Sequence, residues 1–330
     1  MSMTIKQIYQ LAIQLGKLSD LRGQKSVAKV LARAQARYDH TPENDRWELD
    51  PEATVNPYLD SRVLFDHGRP VRKVLAGIDI TPSDLIIAKQ LGCDLVIAHH
   101  PAGEGLADLH DVMHLQAEVM ALYGMPINIA ESLMRERITE VAHGVSASNH
   151  HRTVDAARLL DIGFACTHTC TDNQAAKFLD GVIRRANPET LGEIIAALKT
   201  VPEYREAIKR KAGPFIMVGT PESSTGKIVL TDITGGTEGA VGIYEKMSQY
   251  GFGTIIGMHM DKERKKEAAK YHINVVIAGH MSSDSLGMNL MLDQLERRGV
   301  EIIPAAGLIR VSRAKAATRT KASKPTKRRR

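Results

Sequence analysis

The stretch Asp94-Leu-Val-Ile-Ala-His-His-Pro101 decides how this chain is read. Its apolar run, residues 95–98, is rich in β-branched side chains and bounded by Gly92 and Pro101, which predicts a buried strand of an α/β sheet. Two histidines stand at the C-terminal end of that strand, where open α/β sheets present their ligand-binding groups. Neighbouring residues on a strand point to opposite faces. His99 and His100 therefore converge on one site only if the strand stops there, and Pro101 supports a stop. Taken alone, the pair reads equally well as two solvated loop histidines, so the rest of the chain has to decide.

On the N-terminal side, residues 71–80 read as a strand, and Thr81-Pro82-Ser83-Asp84 supplies a helix start with Thr81 as N-cap and Pro82 in the first turn. Strand, helix and His-His strand together imply parallel pairing with a right-handed crossover. Residues 4–40 follow helical spacing in two runs. The second has a basic face (Arg22, Lys25, Lys29, Arg33, Arg37) that reads as solvated. Residues 41–71 carry several prolines and the single tryptophan, Trp47, and read as an irregular connection. On the C-terminal side the pattern gives a helix over 107–123, a short strand over 125–130 and a helical stretch over 131–163. A strand over 163–170 then runs into Thr171-Asp172, and 173–210 is largely helical. Strands are expected at 215–219 and 226–234, and a glycine-rich turn over 235–239 opens a helix to about Tyr250. Strands follow at 254–257, ending in Met258-His259, and at 274–279, ending in His280. A helix over about 283–297 precedes a last apolar stretch, 300–304. There is no short-period repeat, yet several strands end in histidine.

The 330 residues suffice for a large core in one or two domains, and 43% hydrophobic with 25% charged residues is ordinary for a globular protein. No apolar run approaches the ~20 residues needed to span a bilayer, and the first residues lack a signal-peptide core, so a cytoplasmic protein is expected. Three cysteines are too few for a disulfide scaffold. The net charge of +6 is misleading until it is located. Residues 313–330 hold nine Lys/Arg and no acid, which leaves 35 basic against 38 acidic side chains elsewhere. That segment is expected to be a disordered basic tail, able to contact nucleic acid or an acidic protein, or simply solubilising.

Four strand ends carry the chemistry: His99-His100, His168 with Asp172, His259, and His280 with Asp284. In one parallel sheet such ends lie together, and imidazole with carboxylate suits Zn, Mn, Fe or Co better than Mg or Ca. A helix starting near 280 places His280 and Asp284 on one face. The competitor is a zinc-thiolate site, because Cys166, His168 and Cys170 alternate along a strand; that line is too straight for a tetrahedral cage and offers no fourth ligand. His110 and His114 read as a helix surface pair. Gly235, Gly236 and Gly239, between a strand and a helix, are candidates for holding a phosphate, or else serve a tight turn needing positive φ.

With these residues in view the chain resembles the Nif-three-like family (NGG-one-interacting factor three-like; GTP cyclohydrolase I type 2 homologues). The similarity runs from about Val74 to Val311. It rests on residues 78–81 with the His-His-Pro segment, on His168-Thr-x-x-Asp172, on Gly235-Gly236, and on Gly279-His280-Met-Ser-Ser-Asp284. It implies two interlocked α/β domains with a dinuclear metal site at their junction, and a toroidal homohexamer. By position it implies His99, His100, Asp172, His280 and Asp284 as ligands of two divalent ions (Zn, Mn, Fe or Co), with aspartate at 284 where the family has glutamate. His259 falls near an acidic position of the family and, with Asp172, is a candidate for proton transfer. The expected organisation is an N-terminal helical region and connection (1–72), a first α/β half (73–212), a second (213–312) and the tail (313–330). The expected function is hydrolysis, of GTP cyclohydrolase type on a purine nucleotide, through hydroxide formed on the metals. The alternative is a non-catalytic metal carrier, or a ring that binds nucleic acid or a regulatory protein through its tail.

Overall fold

The computed structural model describes residues 3–314. Two helices, α1 (Ile5–Ser19) and α2 (Gln24–His40), lead to β1 (Ser61–Phe65). Then follow β2 (Lys73–Gly77), α3 (Pro82–Gln90), β3 (Leu95–Ala98), α4 (Gly103–Ala107), α5 (His114–Leu122), α6 (Ile127–Ser146), α7 (Arg152–Leu160), β4 (Gly163–Thr167) and α8 (His168–Ala186). After α9 (Leu191–Leu198) and α10 (Pro202–Lys209) come β5 (Phe215–Val218), β6 (Lys227–Asp232), α11 (Ile243–Gln249), β7 (Phe252–Gly257), α12 (Lys262–Lys270), β8 (Asn274–Ile277), α13 (His280–Glu296) and β9 (Glu301–Pro304).

The strands form two mixed sheets, ordered β1-β4-β3-β2-β9 and β5-β8-β7-β6. In the first, β2, β3 and β4 run parallel and β1 closes the edge antiparallel to β4. The second repeats that plan, with β6, β7 and β8 parallel and β5 antiparallel to β8. The sequence shows no such repeat because it lies in strand order, not residue identity. After the second sheet is complete, β9 returns to pair with β2, so the two halves interlock. Both faces of each sheet are covered, as parallel strands with no polar face require. One core packs α3 and α7 on the outer face of the first sheet. Two more place α13 with α1, and α8 with α9, between the sheets. A fourth sets α5, α6, α11 and α12 against the far face of the second sheet.

Several sequence expectations are corrected. β1 lies inside the stretch read as an irregular connection; it is short, and its partner β4 is about a hundred residues away. Residues 127–130 begin α6 instead of forming a strand. Pro126 occupies the N-cap, and Ala130, Met134, Ile138 and Val141 bury one helical face. The 107–123 helix is broken between α4 and α5. β4 ends at Thr167, so Cys166, His168 and Cys170 do not alternate along one strand. The glycine-rich turn does not open a helix directly, since α11 begins only at Ile243. No helix among the described residues is long and apolar enough to cross a membrane. Of the basic tail, residues 315–330 lie outside the described residues. Arg313 is packed: its guanidinium donates to both oxygens of the fully buried Glu203, at 2.6 and 2.8 Å.

Candidate metal centre

The two helices between the sheets each begin on a histidine as the chain leaves a strand, and each carries an aspartate one turn later: His168 and Asp172 on α8, His280 and Asp284 on α13. That i, i+4 spacing stacks the pair on one helix face. The turn from β8 into α13 depends on Gly279, at φ 111°, where a Cβ would stand 2.9 Å from the carbonyl oxygen of Ala212. α8 and α13 pack so closely that a Cβ on Gly287 would stand 2.3 Å from the Thr171 carbonyl oxygen. This brings the two aspartates together beneath the end of β3. There the His99 and His100 amides donate to the Gly77 and Ile78 carbonyls at 2.8 and 3.1 Å, which fixes the chain while both imidazoles turn inward.

The result is a compact cluster. His99 Nε2 is 3.3 Å from Asp172 Oδ1 and 3.5 Å from Asp284 Oδ1. His100 Nε2 and His280 Nε2 lie 3.4 and 3.5 Å from Asp284 Oδ2. His168 Nε2 is 3.9 Å from Asp172 Oδ2. All five residues assigned as ligands from the sequence therefore meet at one place, joined by His168. Three overlapping groups are placed to hold a metal ion: His99, His100 and His168; His100, His280 and Asp284; His99, Asp172 and Asp284. No cysteine belongs to any of them. Cys166 Sγ donates instead to the Asp60 carbonyl oxygen, and burial pushes its thiol up to about 12.

The carboxylates test whether a cation fits. Both oxygens of Asp284 and Oδ1 of Asp172 are buried without a hydrogen-bond partner. Leaving a buried carboxylate unpartnered is costly. Ligand atoms bonded at ~2.0–2.1 Å to a common tetrahedral ion stand about 3.3 Å apart. The 3.3–3.5 Å separations around Asp284 and Asp172 match that spacing. Nitrogen and oxygen donors together suit a divalent transition metal.

The imidazoles are oriented from behind, as metal-binding histidines usually are. His100 Nδ1 bonds Asp79 Oδ1 at 2.6 Å, His168 Nδ1 bonds Asp60 Oδ2 at 2.7 Å, and His99 Nδ1 lies 3.1 Å from Thr171 Oγ1. His259, expected near the site, bonds Glu238 through Nδ1 at 2.6 Å and lies 4.5 Å, ring to ring, from His280. Burial, reinforced by the neighbouring imidazoles, holds His99 well below its ordinary value; burial also lowers His280. Burial works against protonated His168 too, but Asp172 and Asp60 outweigh it and lift the ring to about 9. Asp172 is raised to about 6 by burial.

Sequence reasoning missed the orienting carboxylates Asp60, Asp79 and Glu238. Asp79 and Glu238 stood inside quoted motifs, and Asp60 lay on a segment that gave no periodic signal. Gly235 and Gly236 do take positive φ, 88° and 95°, and they back onto Gln116 and Met113 of the α5 region. Their turn borders a tight cleft of about 20 Å³ that opens onto the cluster. His110 lies in the turn before α5 and His114 begins that helix.

No family sequence model matches the chain, and no curated protein does. Solved structures match. HcgD from Methanocaldococcus jannaschii is 15% identical with a TM-score of 0.44, over 72% of this chain and 84% of its own. A Bacillus cereus protein related to NIF3 is 11% identical with a TM-score of 0.39, over 74% and 89%. Both superpose only loosely. A NIF3 superfamily protein from Sphaerobacter thermophilus is 27% identical with a TM-score of 0.71, over 86% of this chain and 98% of its own. A match of that closeness, over nearly the whole of the Sphaerobacter protein, agrees with the four motifs in their order along the sequence and supports assignment of the chain to the NIF3 superfamily.

Proposed function

We propose that His99, His100, Asp172, His280 and Asp284 would hold two divalent transition-metal ions, with one Asp284 oxygen available to each, and that the centre is hydrolytic. One observation carries this reading: the two unpartnered oxygens of Asp284 address different imidazoles, Oδ1 facing His99 and Oδ2 facing His100 and His280. A single ion bound through only one of those oxygens would leave the other buried and unpaired. One position then draws on His99, Asp172 and Asp284, and the other on His100, His280 and Asp284. Bound there, the ions supply Lewis acidity.

The protein's own groups do the rest. Asp79 and Asp60 hold the rings of His100 and His168 in one orientation, so ordering them costs little when a ligand arrives. His259, its Nδ1 taken by Glu238, keeps Nε2 for proton exchange with a bound molecule. A purine nucleotide, the class implied by the family resemblance, is the first substrate to assay. The test is metal content measured beside turnover. Two equivalents of Zn, Mn, Fe or Co are expected in the wild-type chain and fewer than one in Asp284→Asn, with hydrolysis lost in both Asp284→Asn and His100→Ala. Equal metal content in wild type and Asp284→Asn, or equal turnover in wild type and His100→Ala, contradicts the reading.

A further inference from the structure

Away from the metal centre, α2 is the least buried long helix. Of its 17 residues only Val27 is fully buried, and Lys25, Lys29, Arg33 and Arg37 repeat at four-residue spacing along its exposed side. A groove of about 340 Å³ runs between this side of α2 and the junction of α5 with α6. Lys29 and Arg33 stand on one wall, Leu122 and Ile127 on the other. Leu122 is 57% exposed and Ile127 41%, so the apolar wall is open to water. Arg22 is taken by Asp20 and Glu118 at 2.8 and 3.2 Å, whereas Lys29 and Arg33 have no carboxylate partner among the described residues.

The chain carries the complement of this groove elsewhere. A short 3-10 turn, Glu43–Glu48, follows α2 and presents Glu43, Asp45 and Glu48 to solvent, none of them ion-paired among the described residues. Its one cation, Arg46, is turned back onto the helix: the guanidinium lies 5.1 Å over the Tyr38 ring and donates to the Thr41 carbonyl at 3.1 Å. Between the acids stands Trp47, the only tryptophan of the chain, 79% exposed. Tryptophan is the residue most typical of interface anchors. The turn does not fill its own groove. That groove lies along residues 22–33, while Arg46 holds Trp47 at the far end of a helix about 25 Å long.

We propose that the groove receives the Glu43–Glu48 turn of a second copy of this chain. With two α2 helices antiparallel across a two-fold axis, each copy's turn lies over the other's groove, and the contact is made twice. Trp47 then covers Leu122 and Ile127, while Glu43, Asp45 and Glu48 face Lys29 and Arg33. The apolar wall favours a protein segment over nucleic acid, since Leu122 and Ile127 offer nothing to a phosphate and Glu131, on the same wall, repels one. Both α2 and the turn precede the stretch that carries the family resemblance, so this contact is additional to any ring that the resemblance implies.

Because Trp47 is the single tryptophan, its emission reports this contact in the full, unlabelled chain. Sedimentation velocity and tryptophan emission are followed together over a dilution series, and the emission is expected to move to the red as the chain dissociates. Lys29→Glu with Arg33→Glu, and separately Trp47→Ser, all at exposed positions, should each weaken association about tenfold or more in sedimentation. Added salt should weaken the wild-type contact in the same direction. Reversing the facing side as well, with Glu43→Lys, Asp45→Lys and Glu48→Lys in the Lys29→Glu, Arg33→Glu chain, should restore association, which a misfolded variant would not do. A chain that stays monomeric at high micromolar concentration, association that leaves Trp47 emission unchanged, or a reversed chain that does not regain it overturns the proposal. So does a short oligothymidylate that sediments with the wild-type chain and not with Lys29→Glu, Arg33→Glu while self-association is equal in the two, because the groove then serves nucleic acid.

Discussion

Asp284 is one methylene shorter than the glutamate of the family motif it resembles, yet it is fully buried and reaches three imidazoles. Because each of its oxygens serves a different position, Asp284→Asn is expected to abolish both, whereas His280→Ala removes one; metal analysis of the two variants reads the difference directly. Asp79 touches no other residue of the cluster but holds the His100 ring, so Asp79→Asn should weaken metal binding about 10–100-fold with the fold intact, measurable by competition with a chelator. The Glu238–His259 pair fixes a pH dependence. The bond to His259 outweighs burial and lowers the Glu238 carboxyl from 4.5 to about 2, and the same bond raises His259 above 6.5. A lowered acid stabilises the fold above its unfolded pKa and loses that contribution as pH falls. A raised histidine contributes fully below 6.5 and loses its share as pH rises. The pair therefore stabilises most between about 4.5 and 6.5, and Glu238→Gln should flatten the acid limb between 4.5 and 2 in a plot of melting temperature against pH.

Among the elements, the contact between α8 and α13 sets the geometry, because these helices carry Asp172 and Asp284. Gly287→Ala would place a methyl against the Thr171 carbonyl and force the helices apart. About 1–3 kcal/mol of stability should be lost in denaturant unfolding, with a fall in metal affinity larger than that of an equally destabilising change elsewhere in the core. This element pair also shows what the sequence can and cannot convey. The histidines at strand ends were legible because apolar runs of four to six residues stop abruptly at them. The His-x-x-x-Asp spacing was legible as one helix face for 280 and 284. It was misread for 168, since the chain passes from β4 into α8 without a loop and nothing marks the boundary. Asp60 was out of reach for a different reason: it precedes an edge strand among prolines and meets His168 across 108 residues. Ion pairs over such separations leave no local pattern.

At the level of the whole molecule, the return of β9 to the first sheet is followed by a strap that ties the halves together. Arg310 donates to Asp293 and Glu296 of α13, and Arg313 closes on Glu203 of α10. Arg313→Ala removes the cation that faces buried Glu203 and leaves it only the Asn289 Nδ2 hydrogen bond, so a loss of about 3 kcal/mol is expected in chemical denaturation. The toroidal hexamer implied by the resemblance remains a proposal, and sedimentation of the purified chain decides it. The centre itself is tested most directly by anomalous diffraction from crystals of the metal-loaded protein, collected on either side of the metal's absorption edge. Two peaks about 3.5–4 Å apart, with Asp284 between them and His99 and His100 on different ions, are expected. A single peak, or none among His99, His100, Asp172, His280 and Asp284, contradicts a two-metal centre.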